Sequence, residues 1–116
     1  MSLWKWNDVE LEIDMEDVEF QQKYENAFNK MAKTEEELQK VGAISELSLR
    51  YCNMFFQLFD DIFGEGTSQK LFNGKKNTRV VEECYDSFLE VCKNEVDQAN
   101  KRRAKKYAKY MPKPGR

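Results

Sequence analysis

The alternation of apolar and polar residues at the start of the chain predicts a short β-hairpin. In residues 3–6 and again in residues 9–13, every second residue is apolar, which is the period of a strand with one buried face. Asn7 and Asp8, between the two stretches, tolerate left-handed backbone angles and therefore suit a two-residue turn. We expect two antiparallel strands at this end of the chain.

From Asp14 onward the apolar residues recur at three- and four-residue steps, which predicts helices. The first helix is expected to run to about Lys40, with acidic residues crowding its first turn. The second begins near Ile44 and ends at Gly64, a suitable C-terminal position for glycine. The apolar face of this second helix is expected to comprise Ile44, Leu47, Tyr51, Phe55, Leu58, Phe59 and Ile62.

A third long helix is expected after Asn77 or Thr78, either of which can cap it. Its predicted apolar face comprises Val81, Cys84, Tyr85, Phe88, Val91, Cys92, Val96 and Ala99. The helix can continue past Asn100 as a solvated extension, but the prolines at 112 and 114 cannot belong to it. The expected fold is mainly α, with a short N-terminal β-hairpin followed by about three long helices. Residues 1–100 form the predicted domain, and residues 101–116 a basic, partly flexible tail.

The glycine-containing loop between the second and third helices invites interpretation as a ligand-binding loop. A Walker A phosphate loop ending at Gly74 would need a glycine where Gln69 stands and a hydroxyl where Lys76 stands. A calcium loop or a dinucleotide-binding fingerprint fits no better, because two phenylalanines occupy calcium-ligand positions and the glycine spacing is wrong.

We therefore interpret Gly64, Gly66 and Gly74 as helix terminators. Thr67 or Ser68 is expected to cap one short helical turn over residues 69–72, whose apolar pair returns to the core.

Composition offers little for catalysis. Histidine, the commonest general base and a frequent metal ligand, is absent. The three cysteines have no paired spacing and are interpreted as buried small hydrophobes in a reducing cytosol. Neither a secretory leader nor a membrane span is expected. The chain is predicted to be cytoplasmic and not an enzyme, with no cofactor and no metal.

Charge is unevenly distributed. Residues 1–40 hold 11 acidic and 5 basic residues, whereas residues 93–116 hold 2 acidic and 9 basic ones. An acidic body beside a basic tail allows head-to-tail contacts between copies, and the hairpin offers an edge for strand addition, so a homo-oligomer is expected. The tail could also bind phosphates or an acidic protein surface. Its candidate binding residues are Lys101, Arg102, Arg103, Lys105 and Lys106.

Residues 51–74, YCNMFFQLFDDIFGEGTSQKLFNG, resemble a segment of small proteins encoded by long-tailed phages and prophages of Gram-positive bacteria. In those proteins the pattern F-D-x-x-F-G-E-G-T-S-x-K-x-F-x-G follows a hydrophobic helix. The stretch VELEID, residues 9–14, and the Arg-containing C-terminal end are similar too.

The resemblance implies a tail assembly chaperone, which keeps the tape measure protein soluble and gathers tail tube subunits around it. The second helix carries aromatic residues on more than one face, and the excess is expected to bind that partner. The candidate residues are Phe55, Phe56, Phe59 and Phe63. The alternative is a small nucleic-acid-associated accessory protein that binds through its basic tail.

Overall fold

Two antiparallel strands open the chain, as the alternation predicted. The structure, a computed structural model, describes residues 1–110, and the proline-containing end of the predicted tail lies outside the described residues. Strand β1 is Ser2–Trp6 and strand β2 is Val9–Ile13. Trp4 pairs with Leu11, so these two side chains lie on the face that packs against the helices. Of the two turn residues, only Asn7 has a positive φ, at 54°.

Helix α1, Val18–Leu38, begins at an aspartate cap. The Asp17 carboxylate accepts a hydrogen bond from the backbone N–H of Phe20 at 3.3 Å, which satisfies one of the four free N–H groups of a helix start. Thr34 lies inside α1 and donates to the carbonyl of Lys30 at 3.2 Å. The helix is continuous there, and Thr34 is not a cap.

Helix α2, Ile44–Phe63, packs along α1 and ends at Gly64. A short helix α3, Thr67–Phe72, follows, and its preceding residue, Gly66, has a φ of 92°. The prediction that Thr67 or Ser68 caps this turn is wrong, because both are already helical. The Asp60 carboxylate binds the start of α3 instead: it accepts hydrogen bonds from Ser68 N at 2.8 Å and from Ser68 Oγ at 3.0 Å.

Helix α4, Thr78–Tyr110, spans 33 residues and crosses both α2 and β1. The Asn77 side chain caps it by accepting from the N–H groups of Arg79 and Val80, at 3.1 and 3.2 Å. The buried apolar residues of α4 are Val81, Cys84, Phe88, Cys92 and Ala99. The predicted fold, a mainly helical chain with an N-terminal hairpin, is confirmed.

Trp4 lies at the centre of the core and is 1% exposed. Its ring centroid is 5.5 Å from that of Phe59, 5.8 Å from that of Phe63 and 5.3 Å from that of Phe88. Its indole N–H donates to Ser87 Oγ at 3.1 Å, so the polar atom of this buried ring has a partner. One hairpin side chain thus joins β1 to α2 and α4.

Replacing Gly64 with alanine is expected to lower the free energy of unfolding by ~1–3 kcal/mol. Gly64 has φ 114° and ψ 154°, a conformation nearly restricted to glycine, yet an added Cβ would meet no atom within 4 Å. The cost is therefore backbone strain alone. Gly42→Ala is the matched control, because Gly42 has no positive φ and equally open space. Urea denaturation should show Gly42→Ala unchanged or slightly more stable; equal stability of the two variants would contradict the assigned backbone angles.

Candidate functional site

Two of the four phenylalanines predicted to bind a partner are core residues. Phe55 and Phe59 are 3% and 0% exposed. Phe55 packs against Tyr51 and Tyr85, with ring centroids 5.0 and 4.6 Å away, and Phe59 stacks on Trp4. In the free fold these two rings therefore present no surface to a partner, and their predicted role in binding stays a prediction.

The other two, Phe56 and Phe63, are half-buried at the edge of the same core. Phe56 stacks on Phe72 of α3 at 4.9 Å. Phe63 lies between the rings of Trp4, Phe20 and Phe88. The prediction of surplus aromatic residues on α2 assumed a core made by three long helices. The hairpin and α3 also pack against α2 and cover its remaining faces.

The exposed apolar residues of α2 lie instead at its N-terminal end. Ile44 is 82% exposed, Leu47 37% and Leu49 39%. With the exposed Ala43, which precedes α2 without a side-chain cap, these residues surround the N-terminal end of α2, with Leu47 and Leu49 on opposite sides of the helix, and we call them together the apolar tip. Exposed apolar side chains at one helix end can be buried against a partner, which removes their apolar area from water.

The apolar tip is exposed because α4 does not cover it. Tyr51 is held by α4, since its hydroxyl donates to Glu82 Oε2 at 2.9 Å, and the buried residues of α2 begin only at Cys52. Burial and Glu82 together raise the pKa of Tyr51 to about 12. The prediction that Ile44 and Leu47 belong to the buried face of α2 is wrong, since both are exposed. The missed signal was Leu49, which on a helix lies ~140° from Ile44 and so widens the apolar surface beyond one stripe.

The basic arm, residues 101–110 at the end of α4, is partly used inside the chain. The Arg102 guanidinium donates two hydrogen bonds to the Glu16 carboxylate, and Arg103 Nη2 lies 3.3 Å from Glu16 Oε1. These contacts hold the pKa of Glu16 below its ordinary value, with the hydrogen bond from Arg102 as the largest cause. Two of the five basic residues predicted to bind a partner therefore fix the base of the arm.

The remaining three of those five are Lys101, Lys105 and Lys106, and all are exposed. None forms a salt bridge with another residue of the described chain. Tyr107, between them and the end of the arm, is 71% exposed. Lys101, Lys105 and Lys106 thus present their ammonium groups to solvent, and Tyr107 presents an aromatic ring.

Acid is expected to loosen the base of the arm. Because the pKa of Glu16 is lowered in the folded state, its ion pairs contribute stability above the ordinary value of 4.5 and lose it as the pH falls through the lowered folded pKa. Glu16→Gln should produce the loosened arm already at neutral pH. Amide NMR of residues 99–105 measures this, with Glu19→Gln, whose salt bridge to Lys23 lies elsewhere on α1, as the control. An arm equally ordered in both variants would contradict the role of Glu16.

A groove runs between the start of α1 and the middle of α4. It consists of two adjoining cavities, about 290 and 490 Å³, which share Met15, Tyr24 and Val96. Leu89, Cys92 and Ala99 add to its apolar lining. Its charged lining comprises the acids Glu16, Glu25, Asp86, Glu90 and Asp97 and the bases Lys93 and Arg103. We call this feature the α1–α4 groove; it is apolar inside and mainly acidic at its rim.

The cysteines are placed for packing. Cys52, Cys84 and Cys92 are free and buried, and burial raises the pKa of Cys84 and of Cys92 to about 12. Their thiols are therefore protonated at neutral pH, and a thiol is a poor nucleophile and metal ligand. Among residues 1–110, the structure brings together no group of three potential metal-ligating side chains of the Cys, Asp or Glu type.

The described helices also include none with the length and apolar character needed to cross a membrane. Comparison with curated proteins and with solved structures gave no match. Comparison with protein families did give one, to a family of unknown function, DUF6673, over residues 7–116. The match covers nearly the whole chain, and the protein belongs to the DUF6673 family.

Proposed function

We propose that this protein is a cytoplasmic, non-catalytic tail assembly chaperone of a phage or prophage, which binds the tape measure protein and recruits tail tube subunits. The resemblance of residues 51–74 to such proteins motivates the proposal. The observation that carries it is the apolar tip, where Ile44, Leu47 and Leu49 meet solvent at one end of the α1–α2 pair.

The apolar tip suits an aggregation-prone helical partner. A long helical protein that is not yet assembled exposes apolar stripes, and burying such stripes against another apolar surface is favourable whatever the exact sequence. Leucine and isoleucine side chains offer that contact without demanding a particular hydrogen-bonding pattern. The basic arm would add attraction at long range, but salt screens charges beyond about 8 Å. The arm is therefore expected to speed the encounter more than to hold the complex.

The test is co-expression with the long tail protein encoded beside this chain. Ile44→Asp is expected to abolish solubilisation of that protein, because it places a charge at the most exposed residue of the apolar tip. Val18→Asp is the matched control: both residues are the first of a helix, where an acid is favourable, and Val18 is also exposed, at 62%. Both variants should therefore fold.

Two results would count against the proposal. One is a long tail protein that is equally soluble with and without this chain. The other is equal loss of its solubility with Ile44→Asp and Val18→Asp, which would mean that the apolar tip is not the surface concerned.

The second candidate, a nucleic-acid-associated accessory protein, is favoured by the free lysines of the arm. Phosphate binding by Lys101, Lys105 and Lys106 should weaken steeply with added salt, because each contact releases counterions. A truncation after Asn100 should then abolish DNA or RNA binding while Ile44→Asp leaves it intact. The chaperone proposal predicts the reverse pattern for the tape measure protein: salt-tolerant binding that survives the truncation.

A further inference from the structure

We infer that the α1–α4 groove binds the basic arm of a second copy of this chain, so that two copies form a closed two-fold dimer. The inference concerns a surface remote in sequence from the apolar tip and does not depend on the proposed chaperone function. It follows from the charge of the groove, the charge of the arm and the continuity of α4.

The α1–α4 groove has the character of a site for a basic, partly aromatic segment. Its rim carries five acidic and two basic residues, and one of the two bases, Arg103, is already paired with Glu16. The acids Glu25, Asp86, Glu90 and Asp97 form no salt bridge with another residue of 1–110. The apolar interior, at Met15, Tyr24 and Val96, offers contact for a ring.

The basic arm supplies the matching groups. Six of its ten residues are Lys or Arg and none is acidic. Lys105, Lys106 and Tyr107 are adjacent in the chain and exposed, so ammonium groups and a phenol ring reach a partner surface together. Aromatic rings flanked by cations are well suited to a groove that is apolar inside and acidic at its rim.

The arm cannot occupy the groove of its own chain. One wall of the groove is α4 from Asp86 to Arg103, and the arm is the continuation of that same uninterrupted helix to Tyr110. A helix would have to break to fold back on itself, and residues 101–110 contain neither proline nor glycine. The occupant must therefore come from another molecule, and a second copy carries the arm already.

With a two-fold axis that crosses α4 between residues 101 and 102, the basic arm of each copy lies along the α1–α4 groove of the other. In that antiparallel arrangement, Tyr107 of each copy lies opposite Val96 of the other, and Lys106 lies opposite Asp97. Every contact is then made twice, as a two-fold interface requires. Arg102, close to the axis, is neutralised in each copy by Glu16.

Sedimentation equilibrium of the purified chain, without any partner, tests the inference. The intact chain is expected to show twice the mass of one copy and to dissociate as salt is added. Lys105→Glu with Lys106→Glu should raise the dimer dissociation constant roughly tenfold or more, because in each copy the attraction between Lys106 and Asp97 becomes a repulsion and the arm loses the positive charge of Lys105. Lys75→Glu with Lys76→Glu is the matched control: it changes the net charge equally at exposed positions outside both surfaces and should leave the dimer intact.

A charge swap tests whether the basic arm pairs specifically with the α1–α4 groove. Adding Asp97→Lys to the Lys105→Glu, Lys106→Glu variant is expected to restore the dimer, since residues 97 and 106 lie opposite each other and their signs are complementary again. A monomer at every concentration of the intact chain would overturn the inference. So would a dimer that survives truncation after Asn100, or a reversed-arm variant that the groove reversal fails to rescue.

Discussion

Trp4→Ala is expected to lower the free energy of unfolding by ~3–5 kcal/mol, the range for removing a large aromatic side chain from a core. Trp4 is 1% exposed, and three other rings lie within 5.8 Å of its centroid. The substitution leaves a cavity between β1, α2 and α4 and removes the donor to Ser87. Since a domain of this size has only ~5–15 kcal/mol of stability, the loss is a large share of the total.

Leu3→Ala, one residue earlier in the same strand, is the control. Leu3 is 60% exposed on the outer face of the hairpin, so its truncation should change stability by less than ~0.5 kcal/mol. Guanidinium denaturation followed by far-UV circular dichroism gives both values. Similar stability for the two variants would mean that the hairpin does not pack on the helices as described.

Phe59→Ala is expected to cost a similar ~3–5 kcal/mol. Phe59 is fully buried and stacks on Trp4, and it also meets Phe72 and Phe88. Because Trp4 and Phe59 are in contact, the effects of the two substitutions are not expected to add. The free energy of unfolding lost in the double variant should differ from the sum of the two single losses by ~0.5–1.5 kcal/mol.

The control for Phe59 is Leu49→Ala on the exposed side of α2, which should be nearly neutral for stability. The same denaturation series also separates a core role from a partner-binding role. If Phe59→Ala kept full stability and impaired only partner binding, the aromatic surface expected from the sequence would be restored and the core described here would be wrong.

The elements themselves could be predicted because each has a local signal. Alternation at residues 3–6 and 9–13 requires a strand with one buried face, and Asn7 is among the few residue types that accept the turn angle found there. The ends of α2 and α3 coincide with Gly64 and Asn73, whose backbone angles few other residues tolerate. The helix periods depend on neighbours three and four residues apart, which a single sequence displays.

The surfaces could not be predicted because they depend on which element covers which. Phe55, buried, and Ile44, exposed, fit the same apolar stripe, and the packing of α4 against Phe55 is a contact that the stripe itself does not show. The same holds for pairs distant in sequence. Glu16 meets Arg102, and the buried Glu95 accepts from the backbone N–H of Met15 at 2.8 Å, contacts that join residues 80 or more positions apart.

The unequal distribution of charge was visible in the sequence, but the surface that the acidic residues line was not. The body and tail differ in sign, which suggested contacts between copies. The α1–α4 groove, where the acidic residues line an apolar cavity, is assembled from two helices far apart in the chain. Spacing along either helix alone gives no sign of it.

Hydrogen exchange of the chain with and without the proposed partner, the tape measure protein, tests the central claim most directly. The amides of residues 44–46 lack an intrahelical partner, since the first hydrogen bond of α2 runs from Leu47 N to Ala43 O, and the first turn of a helix opens more readily than its middle, so residues 44–50 report on contact at the apolar tip. The account predicts that the partner slows exchange there and leaves Ser2–Trp6 unchanged. Protection confined to the hairpin or to the basic arm, with residues 44–50 exchanging as in the free chain, would contradict it.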